Sequence, residues 1–339
     1  MKLFTSLALL LLALTATAQK KQLSVLQLNI WQEGTIVPGG YDAIVAEIDR
    51  LQPDIVTLSE VRNYNNTRFC DRIVAALAVK GKQYYSFFSN GAGVMSRTPI
   101  TDSSTVFEGQ GEIYKLITKV AGREIAVYSA HLDYLNYAVY LPRGYDGVTW
   151  KKLPAPVTNM DTIMTSNLAS SRDEAIAAFL KAAAADKQAG RLIFLGGDFN
   201  EASHLDWTAA TSNLFDHHGV TANWTSSTML YQQGFKDSFR ELYPNPVTHP
   251  GFTFPADNTA VPVSKLAWAP DADERERIDF IYYYPDKKLK VLKSNVVGPA
   301  GSIIRNQRAR ETGKDVFIEP SSIWPTDHKG LLTVFEVRK

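Results

Sequence analysis

Apolar and polar positions alternate over residues 23–30, which predicts a strand ending at Asn29-Ile30-Trp31. Ile44, Val45, Ile48 and Leu51 then recur at helical spacing, so residues 41–51 are predicted as a helix that Pro53 closes. A short apolar strand follows at 55–58 and a second helix at 70–79. Residues 84–130 carry strand signals punctuated by Gly91, Gly93, Arg97-Thr98-Pro99 and Ala121-Gly122, and the last strand runs into His131. The rhythm breaks over 135–167. This long loop holds Pro142, Pro154 and Pro156 together with Tyr137, Tyr140, Tyr145 and Trp150. Long loops inside compact domains usually carry function or motion. An Ala-rich helix is predicted over 171–187, then a buried strand at 192–195 leading into Gly196-Gly197-Asp198-Phe199-Asn200. Residues 277–284 and 289–297 read as paired strands around Pro285-Asp286, and 298–318 as a polar, partly basic loop. Residues 331–337 form a closing strand just after Asp327-His328. Strands and helices alternate without repeat or linker, the pattern of one α/β domain.

The first residues follow a different logic. Lys2, an apolar run at 7–14 and Ala16-Thr17-Ala18 make the positive start, greasy centre and small-residue ending of a secretory signal peptide. The run is shorter than the roughly 20 apolar residues of a membrane span. Residues 1–18 are therefore expected to be removed, leaving Gln19 first, a single domain over 19–339 with 135–167 inserted, and no stable membrane anchor. Cys70 is the only cysteine, so no internal disulfide can form. Export without disulfides suits a bacterial periplasm, and the expected location is periplasmic or extracellular.

Composition narrows the class further. With 45% hydrophobic and 21% charged residues the 339-residue chain is neither disordered, collagen-like nor a coiled coil. Its 36 Lys+Arg and 35 Asp+Glu leave a net charge of +1, so no strong overall field draws it to nucleic acid or anionic membrane.

The chemistry lies at strand ends. Asn29, Glu60, His131, Asp198 with Asn200, Asp279, and Asp327 with His328 all fall at or just after apolar strands. Strand ends from distant parts of a chain can converge on one crevice. The set holds four carboxylates, two amides and two imidazoles. A hard cation such as Mg²⁺ is held by a few such oxygens and keeps several waters, whereas one cysteine excludes a thiolate zinc site.

These residues stand in the segments QLNIW, LSEV, GVMSRTPI, YSAHLDY, GGDFN, KDSFRELYPN, RIDFIYY and TDHKGLL, in that order. In this series the chain resembles the endonuclease/exonuclease/phosphatase superfamily, the deoxyribonuclease I-like metal hydrolases. The resemblance implies a four-layer α/β sandwich, two packed mixed sheets flanked by helices. It implies that Glu60 and Asp327 serve a divalent cation, Mg²⁺ with Mn²⁺ or Ca²⁺ as alternatives, and that Asn29 touches metal or phosphate beside them. One branch of the family has an acidic residue at the position of Trp31, so here the metal shell leans on Glu60, Asp327 and water. His328 and Asp279 resemble the His–Asp pair, in which the carboxylate fixes the imidazole tautomer. Asp198 and Asn200 resemble the groups that hold the attacking water and the phosphoryl oxygen, with the base being either His328 or Asp198. His131 resembles the phosphate-binding histidine, expected to act as imidazolium. Asp237 is expected to cap a helix.

The core motifs specify phosphate-ester hydrolysis but not the leaving group. The 135–167 insertion is expected to form one wall of the substrate pocket, facing His204 and Trp207, whose segment reads equally as a capped turn with a buried Trp. Arg277 reads either as a phosphate contact or as a salt bridge orienting its strand. Arg305, Arg308, Arg310 and Lys314 form a basic loop that reads chiefly as solvated. The expected activity is an exported phosphodiesterase or phosphatase on a small or medium ester. The alternatives are a secreted nuclease on DNA or RNA, and a non-catalytic binding protein that would be expected to have lost a key residue.

Overall fold

The computed structural model describes residues 20–338. The expected signal peptide lies outside the described residues. In chain order the strands are β1 (Lys20–Asn29), β2 (Ile55–Val61), β3 (Tyr85–Ser86), β4 (Gly91–Ser96), β5 (Ile100–Phe107), β6 (Gly111–Val120), β7 (Arg123–Leu132), β8 (Leu192–Asp198), β9 (Lys236–Asp237), β10 (Asp279–Tyr283), β11 (Leu289–Val297), β12 (Gly301–Ile304), β13 (Gln307–Arg310), β14 (Phe317–Ile318) and β15 (Gly330–Arg338). The α-helices are α1 (Gly40–Leu51), α2 (Phe69–Val79), α3 (Met160–Asn167), α4 (Arg172–Gln188), α5 (Thr225–Gln232) and α6 (Ser238–Leu242).

The strands form two mixed sheets, ordered β14-β11-β15-β1-β2-β4-β3 and β5-β6-β7-β8-β10-β9, with β12-β13 as a separate hairpin. Each large sheet has a parallel pair at its centre, β1 with β2 and β7 with β8, and the first has another at its edge, β11 with β14. Parallel neighbours need a crossover, and α1 and α4 supply it.

The sheets pack face to face through Leu23, Val25, Ile55, Val127, Phe194, Ile281 and Phe335, all at or near zero exposure. Fully burying each such side chain contributes about 1.5–3 kcal/mol. Ile44, Ile48, Ile73 and Leu77 cover the outer face of the first sheet. Ile176, Phe179 and Ala183 of α4 cover the outer face of the second. This is the four-layer α/β sandwich.

Two local expectations fail. The segments around 277–284 and 289–297 do not pair. β10 lies between β8 and β9 in one sheet, and β11 between β14 and β15 in the other. The short connection through Pro285-Asp286 therefore crosses from sheet to sheet. The expected loop over 298–318 contains the β12-β13 hairpin, and its three arginines are paired: Arg305 with Asp216 at 2.7 Å, Arg308 with Asp257, and Arg310 with Glu319 at 3.4 Å.

The 135–167 insertion is a packed structure and not a free loop. Tyr137, Val139, Tyr140, Tyr145 and Ile163 are buried with Trp207, Trp224 and Ile278. One buried guanidinium holds both ends of it. Arg172 donates to the backbone oxygens of Asp133 (2.8 Å), Leu135 (2.9 Å) and Asn136 (2.9 Å), and to Asn167 Oδ1 (3.0 Å).

Candidate active site

The site grows out of the inter-sheet layer. Side chains two apart on a strand share a face. Along β1 the inward face reads Leu23, Val25, Gln27, Asn29; along β2 it reads Ile55, Thr57, Ser59; along β7, Ile125, Val127, Ser129, His131; along β8, Leu192, Phe194, Gly196, Asp198. Each face passes from apolar to polar in the same direction. The greasy half builds the core and the polar half builds a cleft at one end of it. A buried seam separates the two: Thr57 Oγ1 donates to Gln27 Oε1 at 2.6 Å, Gln27 Nε2 to Asp279 Oδ1 at 3.3 Å, and Ser59 Oγ accepts from Asp198 N at 3.0 Å. At Gly196 the sheets come so close that a Cβ would lie 2.3 Å from Thr57 Oγ1, so only glycine fits.

Strand register sets the rest. His131 and Asp279 are the cross-strand partners of Asp198 on its two sides, so these three stand in a row. Glu60 sits at an irregularity between Ser59 and Val61, with φ +70°. That bulge brings its carboxylate to the cleft, where Gln32 N donates to Oε2 at 2.9 Å. His328 enters from the turn before β15.

Asn29 is the hub. Its Oδ1 accepts from Trp31 N at 2.9 Å, which fixes the amide orientation. Its Nδ2 then donates to Asp198 Oδ2 at 2.8 Å and Glu60 Oε1 at 3.1 Å, and lies 3.4 Å from His328 Nε2. In this orientation Asn29 turns its nitrogen and not its oxygen toward the carboxylates. It braces them.

His328 Nδ1 is 2.9 Å from Asp279 Oδ2, and its Nε2 is 3.8 Å from Asp198 and 4.0 Å from Asp327. Burial alone would lower this imidazole, but Asp279 and Asp198 outweigh it and raise it to about 10. Burial pushes Asp198 up to about 7 against the pull of His328. Asp327 is likewise raised to about 7 by burial, with Glu60 adding repulsion. Asn200 N donates to Asp198 Oδ1, and Asn200 Nδ2 to Leu132 O, both at 2.9 Å. His131 is pushed down to about 4, first by burial, with Glu112 Oε2 3.9 Å from its Nδ1. Its environment favours neutral imidazole, not the expected imidazolium.

The donor set fits a hard cation. Glu60 and Asp327 face the cleft with oxygen donors only, and Asp327 is a buried carboxylate whose one side-chain hydrogen-bond donor is Thr326 Oγ1 at 3.4 Å. Asp198, Asp279 and His328 also offer ligand atoms within 4.8 Å of one another. Asp279 is less suited, since Oδ2 is engaged by His328 and Oδ1 by Gln27. Glu60 is engaged in the same way, Oε1 by Asn29 and Oε2 by Gln32 N, which leaves Asp327 the least engaged carboxylate of the cleft among the described residues.

The cleft opens into a cavity of about 300 Å³ lined by Trp31, Glu60, Arg62, His131, Asp198, Asn200, Asp327 and His328, and on the far side by Tyr134, Tyr137, Tyr140, Trp150, Phe254 and Trp268. The insertion does form a wall, as expected, but His204 and Trp207 do not face it. Trp207 is buried, stacks on His217 at 3.6 Å and donates to Glu276. His204 bonds Ser227 Oγ at 2.9 Å and packs its edge on Tyr231. Arg277 is fully buried between Asp206 (2.7 Å) and Asp237 (2.5 Å) and does not line the cavity. Asp237 caps α6 through Phe239 N and Arg240 N, as expected. Sequence reasoning missed Arg62, Phe254 and Trp268. Arg62 lies two residues after Glu60 and could have been found by that spacing; the other two carry no local signal.

A sequence model described as the Endonuclease/Exonuclease/phosphatase family matches residues 26–328. An uncharacterized protein of Caenorhabditis elegans is 30% identical over 279 residues, 79% of this chain and 81% of that protein. The fold is similar to the human Nocturnin catalytic domain (TM-score 0.54, 15% identity, 95% of this chain and 98% of that one). It is also similar to truncated Caenorhabditis elegans TDP2 (TM-score 0.51, 17% identity, 93% and 97%).

Proposed function

The chain belongs to the endonuclease/exonuclease/phosphatase family, and from that premise we propose that it is an exported, divalent-metal-dependent phosphoric ester hydrolase acting on a small or medium ester. The observation that carries this reading is the Asn29 hub, which holds Glu60 and Asp198 within hydrogen-bond reach of one amide while Asp279 orients His328 beside them.

The residues divide the work. His328 Nε2 and Asp198 Oδ2, 3.8 Å apart, are too far apart for a direct bond, and one water on the cleft side of the pair can hydrogen-bond to both. The proton of the attacking water passes to this pair. Asp279 keeps the imidazole in one tautomer and orientation throughout. Asn200 and His131 offer N–H groups to the phosphoryl oxygens, whose charge grows in the transition state, while Asn29 holds the carboxylates beside them. A bound cation at Glu60 and Asp327 supplies neutralisation of the phosphate charge and a lowered pKa of bound water.

The test is a panel of bis-p-nitrophenyl phosphate, p-nitrophenyl phosphate, plasmid DNA, RNA and sphingomyelin with Mg²⁺, Mn²⁺ or Ca²⁺. Chelation is expected to lower turnover of the accepted ester by about 100-fold or more, and Mg²⁺ to restore it. Full activity after exhaustive chelation refutes metal dependence. A secreted nuclease is the second reading, and preferential cleavage of DNA or RNA would establish it instead.

Export rests on Lys2, the apolar run at 7–14 and Ala16-Thr17-Ala18. Mass spectrometry of protein recovered outside the cytoplasm is expected to give Gln19, free or cyclised, as the first residue. An intact Met1 in that fraction would contradict it.

A further inference from the structure

We propose that the insertion gives this cleft a stacking subsite for a neutral planar ring, so that the substrate is a small phosphate ester carrying one ring of about nucleobase size. The inference rests on the hydrolase reading above and deepens it.

Three aromatic rings make one continuous wall. Tyr134 and Trp150 have ring centroids 6.3 Å apart and planes inclined by 29°, too close for a ligand to enter between them. Trp150 meets Trp268 at 5.2 Å and 54°. A ligand ring must therefore lie against the cavity side of this wall. Tyr134 is 51% exposed and Trp268 43%, although rings of this size are normally covered. The insertion adds Tyr137 and Tyr140 to the cavity lining, packed edge to face at 4.7 Å. Tyr137 lines the cavity too. Its hydroxyl is buried and has no hydrogen-bond partner among the described residues.

Size and charge choose among ligands. A cavity of about 300 Å³ that also contains the catalytic carboxylates accommodates a phosphate and one ring. A polymer needs a track of free cations along its backbone. The nearby arginines 305, 308 and 310 are already paired with carboxylates.

Calorimetric titration of the Asp198→Asn protein in Mg²⁺ buffer tests this through binding alone. The probes are adenosine 5′-monophosphate, ribose 5-phosphate and phosphocholine. The nucleotide is expected to bind about 10-fold or more tightly than ribose 5-phosphate, because a stacked base contributes that much. Trp150→Ala, and separately the more exposed Trp268→Ala, should each cut that preference to about threefold or less. Equal binding of nucleotide and sugar phosphate, or a preference that survives both substitutions, overturns the subsite. Tightest binding of phosphocholine overturns it as well and makes the wall a cation cage. Wild-type turnover of bis-p-nitrophenyl phosphate separately reports whether the hydrolase reading itself stands.

Discussion

Replacing His328 by alanine is expected to lower turnover of a generic phosphate diester by about 10²–10⁴-fold, the usual worth of a positioned acid–base group. The imidazole joins the two halves of the site, with Nδ1 at 2.9 Å from Asp279 and Nε2 facing Asp198 and Asp327. Alanine removes the imidazole nitrogen that faces Asp198 and shares the proton of the attacking water with it. Asp279→Asn should cost less, about 10–100-fold, since it removes the group that orients the ring and leaves the ring in place. Steady-state kinetics on bis-p-nitrophenyl phosphate, with circular dichroism to check folding, gives both numbers. A loss in Asp279→Asn larger than in His328→Ala would dissolve the assignment of the pair.

Arg277→Met is expected to destabilise the fold by about 3–5 kcal/mol, the cost of leaving buried charges without their partner. Arg277 has zero exposure and binds Asp206 through Nε and Nη2 and Asp237 through Nη1. Asp206 retains Arg240 at 2.6 Å, but Asp237 Oδ2 loses its ion pair while Oδ1 is occupied capping α6. Urea denaturation measures the change. At temperatures where the variant stays folded, KM should remain within about twofold of the native value, because no atom of Arg277 reaches the cavity. A KM raised about 10-fold with unchanged stability would restore the phosphate contact that the sequence position suggests.

That contrast shows where the sequence is informative. Asn29, His131 and Asp198 are readable because each closes an apolar run whose period of two assigns its face; Asp279 and Asp327-His328 stand at or just before strands that run antiparallel to these and so begin where they end, and Glu60 joins them through its bulge. Arg277 stands two before Asp279, which on a regular strand would place both on one face. The chain there is irregular: Thr253 Oγ1 takes the N–H groups of both Ile278 and Asp279, and the arginine turns into the salt-bridge network. His204 and Trp207 mislead for a related reason. Asn200, at φ +47°, turns the chain out of the cleft, so nearness in sequence to Asp198 does not survive as nearness in space. The segments at 277–284 and 289–297 carry equally good strand patterns, and nothing local tells whether a short turn joins neighbours or crosses between sheets. The aromatic wall is the least legible, because Trp268 reaches it from a segment more than a hundred residues after Trp150.

The Arg172 clamp has a consequence for how such a protein can change its preferences over time. A single guanidinium fastens the chain where the insertion leaves the sandwich and where it returns, and the ends stay together whatever lies between them. Once the ends are fixed, lengthening or exchanging the intervening chain adds little entropic cost, since closure depends only logarithmically on loop length. The insertion can thus be treated as a cassette. New aromatic or polar contents can be tried between residues 136 and 167 while the row His131–Asp198–Asp279 keeps its register. Selection can then act on the ester's organic group separately from the machinery that breaks the phosphorus–oxygen bond.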